Sequence, residues 1–174
     1  EQFKKAVDDL TAQGIEKLIV DLRNNGGGVV QAAKDIADYL LPDGKTIVSF
    51  KGKGIDDSVY TSDDGHEVDV PIILLVNGES ASASEVLTGA LKDNAWATIV
   101  GEKTFGKGIA QGIFNLPDGS GLKLTTAYYY TPSGECIHKL GIEPDVTVAL
   151  DEDLKSKITS AMSLERISRS KDAP

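Results

Sequence analysis

The sequence predicts an α/β domain, on three observations. Leu18-Ile19-Val20 and Ile72-Ile73-Leu74-Leu75-Val76 are continuous apolar runs, too short for helices, and read as buried strands. Amphipathic stretches with helical spacing alternate with them. Residues 109–130 carry two β-rich runs around a Pro-Asp-Gly-Ser-Gly turn, the pattern of a hairpin.

The first helix covers 1–13, where Phe3, Ala6, Val7 and Leu10 share a face and Gly14 terminates. Residues 17–22 form a buried strand that leaves through the polar, glycine-rich loop 23–28. A phosphate-binding loop is the competing reading of that loop, but the Lys-Ser or Lys-Thr ending of such loops is missing. Residues 29–41 form a helix with Ala32, Ala33, Ile36, Ala37 and Leu40 on one face, ended by Pro42-Asp43-Gly44. A strand over 46–50 follows. Residues 51–70 read as an exposed, acidic excursion around a short strand near Val59-Tyr60. After the strand at 71–76 and the helix ending at Asn94, a short strand covers 97–100. The hairpin comes next, and a helix over about 151–168 closes the chain, with Leu154, Ile158, Ala161, Met162 and Glu165 on successive turns. Tyr128, Tyr129 and Tyr130 either line a groove or belong to a partly buried aromatic strand.

The chemistry concentrates in Ser80-Ala81-Ser82-Ala83-Ser84-Glu85, between a buried strand and a helix. A helix start offers unpaired N–H groups and a field that favours negative charge. A hydroxyl there can be a nucleophile beside a ready oxyanion site. The competing reading is a helix cap, which one serine supplies by itself. A nucleophile needs a base. His66 lies in a polar loop and His138 in a polar segment, and each reads as a solvated loop histidine. Lys107, between Gly106 and Gly108, sits where the chain can turn tightly and aim an amine. Lysine acts as a base where its surroundings favour the neutral amine. A surface lysine in a turn is the alternative, and composition by itself favours it.

Five motifs in order resemble the core of the carboxyl-terminal processing peptidases, or tail-specific proteases. These are Asp21-Leu22-Arg23-Asn24-Asn25-Gly26-Gly27-Gly28, the serine block, and Gly101-Glu102-Lys103-Thr104-Phe105-Gly106-Lys107-Gly108 with Gln111. Two downstream landmarks complete the set, Tyr130-Thr131-Pro132-Ser133-Gly134 and Gly141-Ile142-Glu143-Pro144-Asp145. The matches run from about Gly14 to Leu150. Gly26 stands where the family usually has proline. The resemblance implies a crotonase/Clp-protease-like α/β superhelix and a Ser–Lys dyad, with Ser82 as nucleophile, Lys107 as base and Gln111 supporting the lysine. It implies an oxyanion hole from the amides of Gly28, with Gly27 as the alternative, and Ala83. A weaker analogy gives Asp93 some importance. It implies no metal and no cofactor, polypeptide substrates engaged through their C-terminal regions, and an extracytoplasmic location.

At 174 residues the chain fits one peptidase core domain. With 40% apolar and 26% charged residues it is ordinary globular material. A net charge of −9 argues against a broad nucleic-acid or anionic-membrane surface. The single cysteine, Cys136, excludes an internal disulfide. No signal peptide or membrane-length apolar run appears, and zinc-ligand spacing is absent. The start at Glu1, without methionine, reads as an excised or processed piece, and no PDZ domain is visible. Two other function classes stay open: a peptide-binding module without catalysis, and a crotonase-type acyl-CoA enzyme.

Overall fold

The computed structural model describes residues 1–53, 56–149, 151, 153–158 and 160–161. Its elements follow in chain order. They are α1 (Gln2–Ala12), β1 (Leu18–Asp21), α2 (Val30–Leu40), β2 (Thr46–Lys51), β3 (Ser58–Thr61), β4 (Ile72–Val76), α3 (Ala83–Asp93), β5 (Ala97–Gly101), β6 (Ile109–Asn115), β7 (Gly121–Tyr130) and β8 (Val146–Thr147). Residues 153–158 and 160–161 are helical. The remaining positions of the helix expected over 151–168, Met162 and Glu165 among them, lie outside the described residues.

The strands form two sheets. One is parallel in the order β1-β4-β5-β8, and the other is antiparallel in the order β3-β2-β7-β6. Helix α3 packs against α2, β2 and β5, so it touches both sheets. Every residue from Ala83 to Leu91 is buried, as expected for a helix surrounded by protein. Leu74, Val76, Leu87, Ala90, Leu91 and Ile99 anchor the core, with Tyr39, Leu40, Leu41 and Val48 on the α2–β2 side. At about 25 cal/mol per Å² of buried apolar surface, side chains of this size contribute roughly 1.5–3 kcal/mol each.

Three expectations need correction. β1 is an edge strand and not a buried one: Leu18 is buried but Ile19 is 63% exposed, because among the described residues β4 alone pairs with it. The excursion over 51–70 is not wholly exposed. Val68 packs into the core, and Ser62 is buried because its hydroxyl bonds the Pro42 carbonyl at 2.6 Å and takes the Lys45 amide at 2.9 Å. On α2, Ala32 faces outward while Lys34 and Tyr39 are buried. Lys34 keeps its charge compensated by lying 3.2 Å above the Tyr60 ring.

The hairpin matches its expected limits. β6 and β7 pair antiparallel from Ile109↔Tyr128 to Asn115↔Gly121, with an irregularity at Ala110/Gln111. Period-2 alternation sends Tyr129 into the core and its neighbours to the opposite face. Tyr129 is 2% exposed, whereas Tyr128 is 42% exposed. The partly buried aromatic strand expected for these tyrosines is observed.

Candidate active site

The site grows from the end of β4. Asn77 and Ser80 form a tight turn, with the Asn77 amide on Ser80 Oγ (3.0 Å) and Ser80 Oγ donating to the Leu22 carbonyl (2.7 Å). Ser80 is therefore a buried structural hydroxyl. Two further bonds bind the glycine-rich loop to the same turn. The Ala81 amide donates to the Asn25 carbonyl (3.1 Å), and Ser84 Oγ donates to that carbonyl at 3.0 Å. Asn24 and Asn77 also bond reciprocally, at 2.9 and 3.0 Å. Two of the three serines are thus occupied with joining loops.

Ser82 differs from both. It is half-buried, and it sits just before α3 with φ 59° and ψ −117°. A side chain rarely adopts that backbone, and such strain persists only where neighbours enforce it. Gly27 is one such neighbour. A Cβ added there would lie 2.5 Å from the Ala81 oxygen, 2.8 Å from the Ala83 nitrogen and 2.9 Å from Ser82 Cβ. Its φ of +93° also requires glycine. The Gly27 N–H is taken by Asn25 Oδ1 (3.0 Å). The amides of Gly28 and Ala83 have no partner among the described residues. A Cβ at Gly28 would meet nothing within 4 Å. Gly27 is thus the residue of close approach to Ser82. Gly28, the next residue in the loop, and Ala83, directly after Ser82, carry open amides.

Glu85 is the centre that sequence reading missed. It is fully buried and its carboxylate accepts four hydrogen bonds. Oε2 takes the Ser82 amide (2.9 Å) and the Lys107 amide (2.8 Å), while Oε1 takes Thr104 Oγ1 (2.7 Å) and the Gly106 amide (2.7 Å). At the third position of α3, Glu85 also completes a capping box with Ser82. A buried carboxylate is costly unless its lone pairs are used, and here all are engaged. One side chain therefore fixes the serine turn to the lysine loop. Glu85 falls within the serine motif, but a helix-start glutamate normally signals only a cap.

The lysine loop is braced from behind. Thr104 exchanges bonds with Ile142, N–H to carbonyl at 3.1 Å and N–H to Thr104 Oγ1 at 2.7 Å. The Phe105 amide reaches the Ser80 carbonyl (3.1 Å), and the Lys139 amide reaches the Gly106 carbonyl (2.8 Å). This gives the landmark around Gly141-Ile142 a physical purpose, which is to back the loop.

Lys107 is exposed, and its ammonium has no hydrogen bond or ion pair among the described residues. Gln111 is exposed on β6, at the β6–β7 irregularity. The hydroxyl within reach of Ser82 Oγ is the Tyr129 phenol, 3.3 Å away. Burial pushes the Tyr129 phenol above its usual pKa. The Ser82 contact opposes that shift and the nearby Glu85 charge adds to it. Asp93 lies at the other end of α3, about 16 Å along its axis from Ser82 at 1.5 Å per residue. There its Oδ2 accepts the Ser133 amide at 2.9 Å and holds the 131–134 turn.

His66 is exposed in its loop, as expected, and both histidine rings also make packing contacts. His66 stacks on Tyr39 with ring centroids 4.0 Å apart and contacts the Tyr39 carbonyl through Nδ1 (2.8 Å). His138 is half-buried, edge-on to Tyr128 at 5.4 Å, with its backbone against Gly108. Neither touches Ser82 Oγ among the described residues. No group of three or more His, Cys, Asp or Glu among the described residues is arranged to hold a metal.

Comparison with known proteins places this geometry in a family. The model of peptidase family S41 matches residues 1–148. The carboxyl-terminal-processing protease of Synechocystis is 48% identical over 143 residues, covering 82% of this chain and 33% of that protein. The chloroplastic C-terminal processing peptidase of Tetradesmus obliquus is 45% identical over 145 residues, covering 82% of this chain and 31% of that protein. The chain thus spans about one third of the length of these relatives. The solved photosystem II D1 C-terminal processing protease superposes with a TM-score of 0.79 at 41% identity, over 84% of this chain and 38% of that one. The fold class is the Clp-protease-like α/β fold that the sequence motifs implied. With the family model spanning nearly the whole described chain and the paired sheets matching a solved relative, the chain belongs to peptidase family S41, among the carboxyl-terminal processing proteases.

Proposed function

We propose that this chain is the core of a serine endopeptidase with a Ser–Lys dyad, cleaving polypeptides near their C-terminal tails. Ser82 is the nucleophile and Lys107, as the neutral amine, is the general base. Ser82 Oγ attacks the scissile carbonyl as its proton passes to Lys107 Nζ. The amides of Gly28 and Ala83 hold the oxyanion. Lys107 then gives the proton to the leaving amine, and water resolves the acyl-enzyme. Gln111 steadies the lysine without adding charge. The relatives' names support the tail preference and polypeptide partners, and the extracytoplasmic location rests on the family resemblance. The assignment of residues 1–174 to a single core domain is part of the same proposal.

One observation carries the reading. A single buried carboxylate, Glu85, bonds the amides of both Ser82 and Lys107, at 2.9 and 2.8 Å. The two residues of the dyad are therefore held on one rigid support, although the lysine amine itself points to solvent. A serine-reactive fluorophosphonate tests the proposal in the full-length protein. Ser82→Ala is expected to abolish labelling. Lys107→Ala and Lys107→Arg are each expected to slow it at least a hundredfold, since arginine stays protonated. Labelling of Lys107→Arg at the wild-type rate would show that the lysine is not the base.

A further inference from the structure

We infer that Tyr129 is a further catalytic residue: its phenol donates a hydrogen bond to Ser82 Oγ and so directs the serine's own proton toward Lys107. The inference rests on the reading of Ser82 as nucleophile. It stands on four features of the fold. Tyr129 OH lies 3.3 Å from Ser82 Oγ, and that is the phenol's only polar partner among the described residues. The ring is fixed, 2% exposed and edge-on to Phe50 at 5.7 Å. The Tyr129 amide donates to the Gly108 carbonyl at 3.1 Å, so the same residue braces the lysine loop from β7. Strand parity turns Tyr128 toward His138 and places Tyr130 under Lys51, leaving only Tyr129 facing the serine.

Donor direction follows from proton accounting. A serine hydroxyl has one hydrogen and two lone pairs. If that hydrogen pointed at Tyr129, it would be unavailable to the base. With the phenol donating, the hydrogen is free for Lys107 and the second lone pair faces the substrate carbonyl. The phenol keeps its own proton throughout. Burial favours its neutral form, and Glu85 is the charged group that bears on it, in the same direction. The phenol hydrogen bond strengthens as negative charge develops on Oγ.

The test compares fluorophosphonate labelling rates against pH in the full-length protein for wild type, Ser82→Ala, Tyr129→Phe and the control Tyr128→Phe. A loss of about tenfold is expected for Tyr129→Phe, the size of one neutral hydrogen bond made in the transition state. Tyr128→Phe is expected to label at the wild-type rate. A second variant carries difluorotyrosine at 129, which keeps ring and hydroxyl but ionises at lower pH. It is expected to add an alkaline loss of rate absent from wild type, because a phenolate cannot donate. Persistent labelling of Ser82→Ala would overturn the nucleophile reading and this inference together. If Ser82 is the labelled residue but Tyr129→Phe reacts at the wild-type rate, the role of Tyr129 falls and the dyad stands. Should Tyr129→Phe fail to fold, a wild-type pH profile in the difluorotyrosine variant would equally overturn it.

Discussion

The Glu85 carboxylate accepts the Lys107 amide at 2.8 Å, twenty-two residues further along the chain. The same oxygen accepts the Ser82 amide at 2.9 Å. One charge therefore ties the two loops together, in addition to the hydrogen bonds that brace each of them separately. The charge also meets four donors, so it is stabilised by the partners it orders.

Glu85→Gln retains the shape but replaces one accepting oxygen with a donating amide. Two of the four donors, the pair on the replaced oxygen, then face an N–H group and lose their partner. The expected cost is about 1–3 kcal/mol of stability for each, read as a lower urea midpoint. Fluorophosphonate labelling should fall by at least tenfold even where the variant is fully folded. A folded Glu85→Gln variant that labels at the wild-type rate would show that the support does not matter for the chemistry.

Gly27 and Gly28 are neighbours with different requirements, and alanine separates them. Gly27→Ala would push a Cβ to within 2.5 Å of the Ala81 oxygen at a φ of +93°. The serine turn must shift, with an expected loss of about 2–3 kcal/mol and of labelling. Gly28→Ala meets nothing within 4 Å and keeps its amide. It should leave the urea midpoint and the labelling rate nearly unchanged. Thermal or urea unfolding beside labelling distinguishes the two. Equal damage from both would contradict the view that Gly28 acts through its backbone amide alone.

The sequence conveyed local features well and cross-chain features poorly. β4, α3 and the β6–β7 hairpin were legible because period and turn residues are local signals. Motif order is what singles out Ser82, Lys107 and Gly28 as candidates, since alone they resemble a cap, a surface lysine and a turn glycine. Glu85 was hidden because its partners Thr104, Gly106 and Lys107 come from a different loop. Tyr129 could be separated from Tyr128 and Tyr130 by strand parity, but parity does not say which face meets the serine. β1 was misread because an apolar run looks the same in a central strand and at an edge whose outer side chain, Ile19, is exposed. Ser62 and Lys34 are buried polar groups whose compensation, the Pro42 carbonyl and the Tyr60 ring, exists only in the folded chain.

Alkaline stability provides a test of the α1–α2 contact. Tyr39 is buried and bonds Asp8, and burial first and that carboxylate second raise its phenol pKa to about 12. The sign follows from linkage. A folded pKa above the unfolded value of about 10 means that the folded state holds the proton more tightly. The associated stability is complete below about pH 10 and is lost as pH rises through about 12. The loss approaches at most about 1.4 kcal/mol per pH unit within that window. Urea midpoints for wild type should therefore fall more steeply between about pH 10 and 12 than those for Tyr39→Phe. Parallel slopes in the two proteins would remove Tyr39 as the cause.

The end of α3 carries a strain that glycine would relieve. The Trp96 amide donates to the Leu91 carbonyl at 2.9 Å and the Ala95 amide to the Lys92 carbonyl at 2.8 Å. These are the two bonds of a Schellman closure, whose residue after the cap is left-handed and usually glycine. Here that residue is Ala95, at φ 54°. Left-handed backbone costs an L-residue roughly 1–2 kcal/mol, which glycine avoids. Glycine also gains freedom in the unfolded chain, which offsets part of the benefit. Ala95 is exposed, so its methyl contributes little packing that would be lost. Ala95→Gly is therefore expected to raise stability by about 0.5–1 kcal/mol and to leave the labelling rate of Ser82 unchanged. The substitution sits at the opposite end of the helix from Ser82, so the two effects separate in one experiment. A lower urea midpoint for Ala95→Gly would mean that the methyl is better packed, or the backbone less strained, than its dihedral angle implies.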